Sequence, residues 1–128
     1  VCDLVRAGLP YVATHPDFNC PTETGFIPDI GAIMAFIEAS AGRRPDIIIG
    51  KPYAGIVEGV LEYTGLTCGE CAMVGDRLYT DVATGVNFGM TAILVLSGEA
   101  TMKDLETSPV QPNLIFNRLA EMIPYLEG

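Results

Sequence analysis

The run Ala92-Ile93-Leu94-Val95-Leu96 constrains this chain more than any other stretch. It shows no alternation of apolar and polar residues, so a strand built from it must be covered on both faces. Parallel sheets with helices on either side meet that condition, and the rest of the sequence has the rhythm such a sheet needs. Strands are expected at Tyr11 to Thr14, Asp46 to Ile49, Cys71 to Val74, Thr91 to Leu96 and Leu114 to Phe116, with helical patterns alternating between them. The expected fold class is therefore α/β, a Rossmann-like parallel sheet wound with right-handed crossovers.

The helical signals are local and specific. Val1, Leu4 and Val5 mark the apolar face of a helix that stops at Gly8. Asp29 suits the cap of a helix whose positions Ile30, Ile33, Met34, Ile37 and Ala41 keep the helical period, with Gly42 as its stop. Pro52 suits the first turn of the next helix, in which Ile56, Val57, Val60 and Leu61 form one buried stripe before Gly65. A helix carrying Val82, Ala83 and Val86 closes near Gly89, and Gly85 inside it, unfavourable there relative to alanine, marks close packing on the sheet. Thr101 and Asp104 form a capping box, and Leu119, Met122 and Ile123 line one face of a final helix. His15 to Gly25 reads as one long loop of turn formers and groups able to bind a ligand.

Two of the strands end in charge. Asp76 follows Ala72-Met73-Val74-Gly75, at the carboxyl edge where open α/β sheets bind their ligands. Asp81, five residues on, opens the next helix and can turn back toward the same point. Carboxylates that converge repel each other unless a cation lies between them or a lysine faces them. A hard divalent ion held by oxygen, Mg²⁺, is the economical explanation. Lys51 stands in the same kind of position, just past Ile47-Ile48-Ile49-Gly50. The plainer reading of Lys51, Asp76 and Asp81 is a salt-bridged cluster at strand ends.

Composition then excludes several uses for these groups. A net charge of −9 and a pI near 4.3 argue against a nucleic-acid partner and against attraction to anionic membranes. The apolar runs are strand-sized, no signal-peptide pattern opens the chain, and a cytoplasmic location is expected. With 128 residues, 49% of them hydrophobic, one domain with a proper core is affordable and two complete ones are not. The pair Cys68-Gly-Glu-Cys71 is half of a zinc pattern, but Cys2, Cys20 and His15 supply no matching second half, so reduced thiols are expected. Gly50-Lys51 is followed by proline rather than Ser or Thr, which excludes a P-loop, and no Gly-x-Gly-x-x-Gly occurs. A phosphoacceptor receiver domain would have its acidic pair first and its lysine last, whereas here Lys51 precedes Asp76 and Asp81.

The order strand-Gly-Lys-Pro, helix, strand-Gly-Asp-x-x-x-x-Asp resembles the haloacid dehalogenase (HAD) superfamily of phosphohydrolases. Within it, Gly75-Asp76-Arg77-Leu78-Tyr79-Thr80-Asp81-Val82, continuing through Gly85, Gly89 and Leu96-Ser97-Gly98, looks like the NagD/p-nitrophenyl-phosphatase group. Val12-Ala13-Thr14-His15-Pro16-Asp17 and Pro28-x-x-Gly31 are similar to the same group. The resemblance implies a Mg²⁺-dependent hydrolase of small-molecule phosphate esters that works through an aspartyl-phosphate. Lys51 would neutralise the nucleophile and the phosphoryl oxygens, Asp76 would ligate Mg²⁺, and Asp81 would complete the ion's outer shell or orient Lys51.

The family's Asp-x-Asp-Gly nucleophile motif and its phosphate-binding Ser/Thr motif are both absent from this sequence. The chain therefore reads as the C-terminal portion of such an enzyme, residues 1–46 from the end of an α/β cap and 47–128 from the second half of the catalytic core. Alone it is expected to be inactive, and to self-associate as a homo-oligomer or be held by the N-terminal half of the same protein. The alternative is a catalytically silent binding or regulatory module that keeps the fold. His15, Asp17, Phe18 and Asn19, on the cap loop that the resemblance turns toward the core, are the expected substrate contacts. A surface loop residue with no task is the plainer reading of His15.

Overall fold

The computed structural model describes residues 1–127. The chain divides into two compact units, Val1–Ile56 and Val57–Gly128, with the boundary inside the helix Ala54–Thr64.

The first unit begins with a short helix α1 (Cys2–Arg6), and the turn after it passes through Gly8 at φ +85°, a conformation that favours glycine. Strand β1 (Val12–Ala13) comes next, then an antiparallel hairpin of β2 (Asn19–Thr22) and β3 (Gly25–Pro28). The stretch expected to be one long loop is thus largely a hairpin. Glu23 and Thr24 make its turn, and Cys20 pairs with Ile27 while Pro21 pairs with Phe26. Proline has no N–H for a ladder, so Pro21 and Pro28 disguise these strands, which survive because a two-stranded ribbon has edges on both sides.

Helix α2 (Ile30–Ala41) starts and stops as its sequence dictates. The Asp29 carboxylate accepts from Ile30 N at 2.8 Å, and Gly42 at φ +70° ends it. Its buried face is narrower than the periodicity suggested: only Gly31 and Ile37 are buried, while Ile33 and Phe36 stay exposed. Strand β4 (Ile47–Ile48) lies parallel to β1, with Val12 opposite Ile47 and Ala13 opposite Ile48. Bonds from Asp46 N to Tyr11 O (2.7 Å) and from Ile49 N to Ala13 O (3.0 Å) extend this ladder at both ends. Arg43 braces its lower end, donating to Val5 O and to the Asp46 carboxylate.

Pro52, expected in the first turn of the following helix, instead sits in the turn before it, after a cis Lys51-Pro52 bond. Helix α3 (Ala54–Thr64) then runs to Gly65 at φ +72°. Its expected stripe is reduced to one buried residue, Val57; Ile56 and Val60 are exposed.

The second unit holds a three-stranded parallel sheet in the order β5 (Ala72–Gly75), β6 (Thr91–Val95), β7 (Leu114–Phe116). Ala92, Ile93, Leu94 and Val95 are all buried, so both faces of β6 are covered, as its unbroken apolar run requires. A single turn of π-helix (Leu78–Val82) leads into α4 (Ala83–Phe88), and α5 (Met102–Thr107) opens with the expected Thr101–Asp104 capping box. Leu78, Val82, Ala92, Leu94, Ala100 and Leu105 form one core cluster. At Gly85 an added Cβ would come within 2.7 Å of the Ala92 Cβ, so the helix does touch the sheet there. The last apolar stretch is a 3₁₀ turn (Leu119–Met122) and a short helix α6 (Ile123–Leu126), with Met122 buried and Leu119 and Ile123 exposed instead of lining one packed face. Among the described residues, no helix is long and apolar enough to cross a membrane.

Candidate active site

Chemistry gathers at the carboxyl ends of parallel strands in both units. In the first, β1 and β4 emerge side by side, so Thr14-His15 and Ile49-Gly50-Lys51 leave the same edge. Their approach is close: a Cβ at Gly50 would overlap the Thr14 carbonyl oxygen and reach within 3.0 Å of the His15 Cβ. Only glycine fits the chain before Lys51 against this loop.

His15 is held from two sides. Its Nε2 lies 3.0 Å from Asp29 Oδ1 and its Nδ1 lies 3.1 Å from Thr14 Oγ1. The carboxylate that caps α2 therefore also orients the imidazole. Asp17 is tied to the same helix start through its carbonyl, which accepts from Gly31 N at 2.7 Å, and Gly31 has no room for a side chain against Pro16 and Asp17. Phe18 is exposed, on the rim of a groove of about 340 Å³ lined also by Met34, Arg44, Ile48 and Tyr53. Asn19 already belongs to β2, opposite Pro28. Of the four residues expected on one substrate loop, His15 and Asp17 share the start of α2, while Phe18 and Asn19 lead into the hairpin.

In the second unit, β5 delivers Asp76 and the π-turn returns Asp81 to the same strand end. Asp81 is 3% exposed, and its Oδ2 accepts from Arg77 N at 3.1 Å. Its carboxyl group lies so close over Gly75 that any Cβ there would overlap it. The expectation that Asp81 turns back toward the strand end is met by this packing. The wider π-turn, closed by Val82 N to Arg77 O at 3.1 Å, makes the return possible, and Thr84 Oγ1 donating to Thr80 O at 2.6 Å secures it.

Asp76 is fixed by the loop that follows β6, an arrangement sequence reasoning missed. Its Oδ2 accepts from Glu99 N at 2.8 Å, its own carbonyl accepts from Ala100 N at 2.9 Å, and Gly98 lies against the carboxylate with no room for a Cβ. Glu99 in turn pairs with Arg77 Nε at 2.7 Å. The signal was available: β5 and β6 are adjacent and parallel, so the residues after β6 had to meet those after β5.

These two carboxylates suit a hard cation that keeps several waters of its own. Among the described residues, no group of three or more His, Cys, Asp or Glu side chains is gathered to hold a metal ion. Mg²⁺ does not need one, since one or two carboxylates, water and substrate phosphate commonly complete its octahedron. The bond from Glu99 N to Asp76 Oδ2 fixes the orientation of that carboxylate before any ion binds. The four cysteines are unbridged.

Electrostatics elsewhere is set by local donors. Asp46 is held below the usual carboxylate range by the Tyr11 N–H and then by Arg43. Asp104, whose residue lines a cavity of about 370 Å³ with Arg77, Tyr79 and Glu99, is lowered by the Thr101 hydroxyl and N–H.

Comparison with known proteins points one way. The sequence profile of the HAD-hydrolase-like family matches residues 48–122. An acid sugar phosphatase of Staphylococcus aureus is 42% identical over 123 residues, which make up 96% of this chain and 47% of that protein. The crystal structure of a 4-nitrophenylphosphatase from Thermotoga maritima superposes with a TM-score of 0.91 at 51% identity, over 96% of this chain and 47% of its own. NagD from Escherichia coli K-12 gives 0.83 at 36% identity, over 94% and 46%. The chain spans about half the length of the curated relatives it matches.

Proposed function

Because the chain belongs to the HAD-hydrolase-like family, we propose that it is the metal-binding and charge-stabilising portion of a phosphatase that hydrolyses small phosphate monoesters. The observation that carries this reading is the paired arrest of Asp76 and Asp81 at the end of β5. Each is held by a backbone N–H and set against a glycine that leaves no room for a Cβ. A cluster serving stability alone gains little from such exclusion, whereas a cation site needs carboxylates fixed before the ion arrives.

In this reading Asp76 would hold Mg²⁺ directly, and Asp81, buried behind the strand end, would complete the outer shell or orient Lys51. When bound, Mg²⁺ supplies positive charge against the phosphoryl oxygens. Lys51 neutralises the nucleophile and the same oxygens, a need made sharper by a net charge of −9. The nucleophile is an aspartate outside this chain, whose phosphorylated form is then hydrolysed. Residues 1–46 belong to a cap and 47–128 to the catalytic core, and His15, Asp17, Phe18 and Asn19 meet the part of the substrate that is not phosphate. The names of the relatives, a sugar phosphatase and a nitrophenylphosphatase, support a small ester as substrate.

The test compares two preparations on p-nitrophenyl phosphate with Mg²⁺. The complete protein turns the ester over and the isolated 128-residue chain does not. Turnover by the isolated chain, free of the complete protein, would remove the external nucleophile from the account.

A further inference from the structure

Asp76 and Glu99 are joined by a closed ring of contacts. From Asp76 the chain runs one residue to Arg77; the Arg77 guanidinium, its side chain only 19% exposed, meets Glu99 Oε2 at 2.7 Å; and the Glu99 N–H returns to Asp76 Oδ2 at 2.8 Å. We propose that the Arg77–Glu99 ion pair is a positioning device for the metal ligand, acting through the loop after β6 and touching neither substrate nor ion. The inference rests on the reading of Asp76 as the Mg²⁺ ligand.

Three features separate this pair from an ordinary surface ion pair. Such pairs contribute little because two mobile side chains must be ordered in water. Here Arg77 is largely shielded, and both partners are one step from backbone that is already fixed: Ala100, next to Glu99, is buried in the core beside Leu78 and donates to Asp76 O. Only the Ser97-Gly98-Glu99 portion of the loop remains exposed. The ion pair is the side-chain tether of that portion. The backbone bond that Glu99 makes also engages one carboxylate oxygen of Asp76 and so fixes the rotation of that group. Finally, the pair cancels the Glu99 charge next to the carboxylate proposed to hold the cation.

Single substitutions would mix geometry with charge, since each changes the net charge beside the site. The decisive variant is Arg77→Ala/Glu99→Ala, which removes the tether and keeps the net charge. Mg²⁺ alone is titrated into the complete protein by calorimetry, without substrate, and KM for p-nitrophenyl phosphate is measured separately at saturating Mg²⁺. The expected result is a loss of Mg²⁺ affinity of about 10- to 100-fold, the usual cost of releasing a ligand's hydrogen-bonded support, with KM little changed. The reversed pair Arg77→Glu/Glu99→Arg, which restores the tether, recovers most of the affinity. Unchanged Mg²⁺ affinity in the double alanine variant, with Asp76→Asn losing it, overturns the positioning role and leaves the metal reading standing. If Asp76→Asn itself binds Mg²⁺ normally, the metal reading fails and the positioning role fails with it.

Discussion

Single atoms decide most at Gly75 and Gly98. Both exclude a Cβ because a carboxylate occupies the space, but the two carboxylates differ in freedom. Asp81 is buried and held in the π-turn, so an added methyl at Gly75 has nowhere to push it. Gly75→Ala should therefore cost about 1–3 kcal/mol, the range for overpacking, seen as a lower urea midpoint at constant slope. Asp76 is half-buried and can swing aside from a methyl at Gly98, giving up its bond to Glu99 N. Gly98→Ala should leave the urea midpoint nearly unchanged and raise the Mg²⁺ concentration needed for half-maximal activity. Reversal of that pattern would show that Asp81, rather than Asp76, faces the ion. The sequence made the two aspartates legible because a strand followed by Gly-Asp is a local pattern. The glycine after β6 was legible only as part of a family pattern, because its work is done across the sheet.

Strands and helices differed in how openly the sequence displayed them. Strand β6 was plain because burial on both faces leaves no alternation to misread, and α2 was plain because Asp29 and Gly42 bracket it. The β2–β3 hairpin was hidden by its prolines, and the stripes of α2 and α3 were overestimated because periodicity reports which side is apolar and not how much of that side is covered. A pH prediction belongs at this scale. Asp46 joins the β1–β4 pair to Arg43 and to Tyr11 N, and these bonds favour its charged form. A carboxylate lowered in the folded state contributes stability that is present above its unfolded pKa and lost as pH falls through the folded one. Protection of the Ile49 amide, which donates to Ala13 O, should accordingly decline as the solution is acidified below the ordinary aspartate range. In Asp46→Asn, protection should be lower at neutral pH and flat across that range. An acid decline of equal size in both proteins would put the sensitivity elsewhere.

The stretch from His15 to Asn19, proposed as part of a cap, makes a selectivity prediction of its own. His15 is oriented by Asp29 and Thr14, and Phe18 stands exposed at the groove, so neither is committed to the core of its unit. If His15 and Phe18 meet the variable part of the substrate as proposed, His15→Ala and Phe18→Ala in the complete enzyme should change the ratios of kcat/KM across a panel of phosphate esters. Lys51→Ala should lower every value alike, because the phosphoryl group is common to all. A panel whose ratios survive both substitutions would make the stretch from His15 to Asn19 a connector.

For the whole molecule, family membership is recognisable in a chain that spans about half the length of the relatives it matches. Within each unit, adjacent parallel strands set the candidate residues at one edge, Lys51 beside Thr14 and His15 in the first and Asp76 beside the loop after β6 in the second. The order of Lys51, Asp76 and Asp81 was readable because order along the chain survives any uncertainty in packing. The covalent step entered only through the family resemblance, because no Asp-x-Asp-Gly motif stands in this sequence to show it locally. The central claim is that Asp76 is the carboxylate that holds the ion on which turnover depends. Its most direct test is the initial rate of p-nitrophenyl phosphate hydrolysis by the complete protein, titrated with Mg²⁺ from a metal-free start, in parallel with Asp76→Asn. The account predicts saturable activation of the unmodified enzyme and, in Asp76→Asn, loss of both rate and apparent Mg²⁺ affinity, since an amide oxygen carries no net charge to hold a hard cation. Activation curves that superimpose would contradict it.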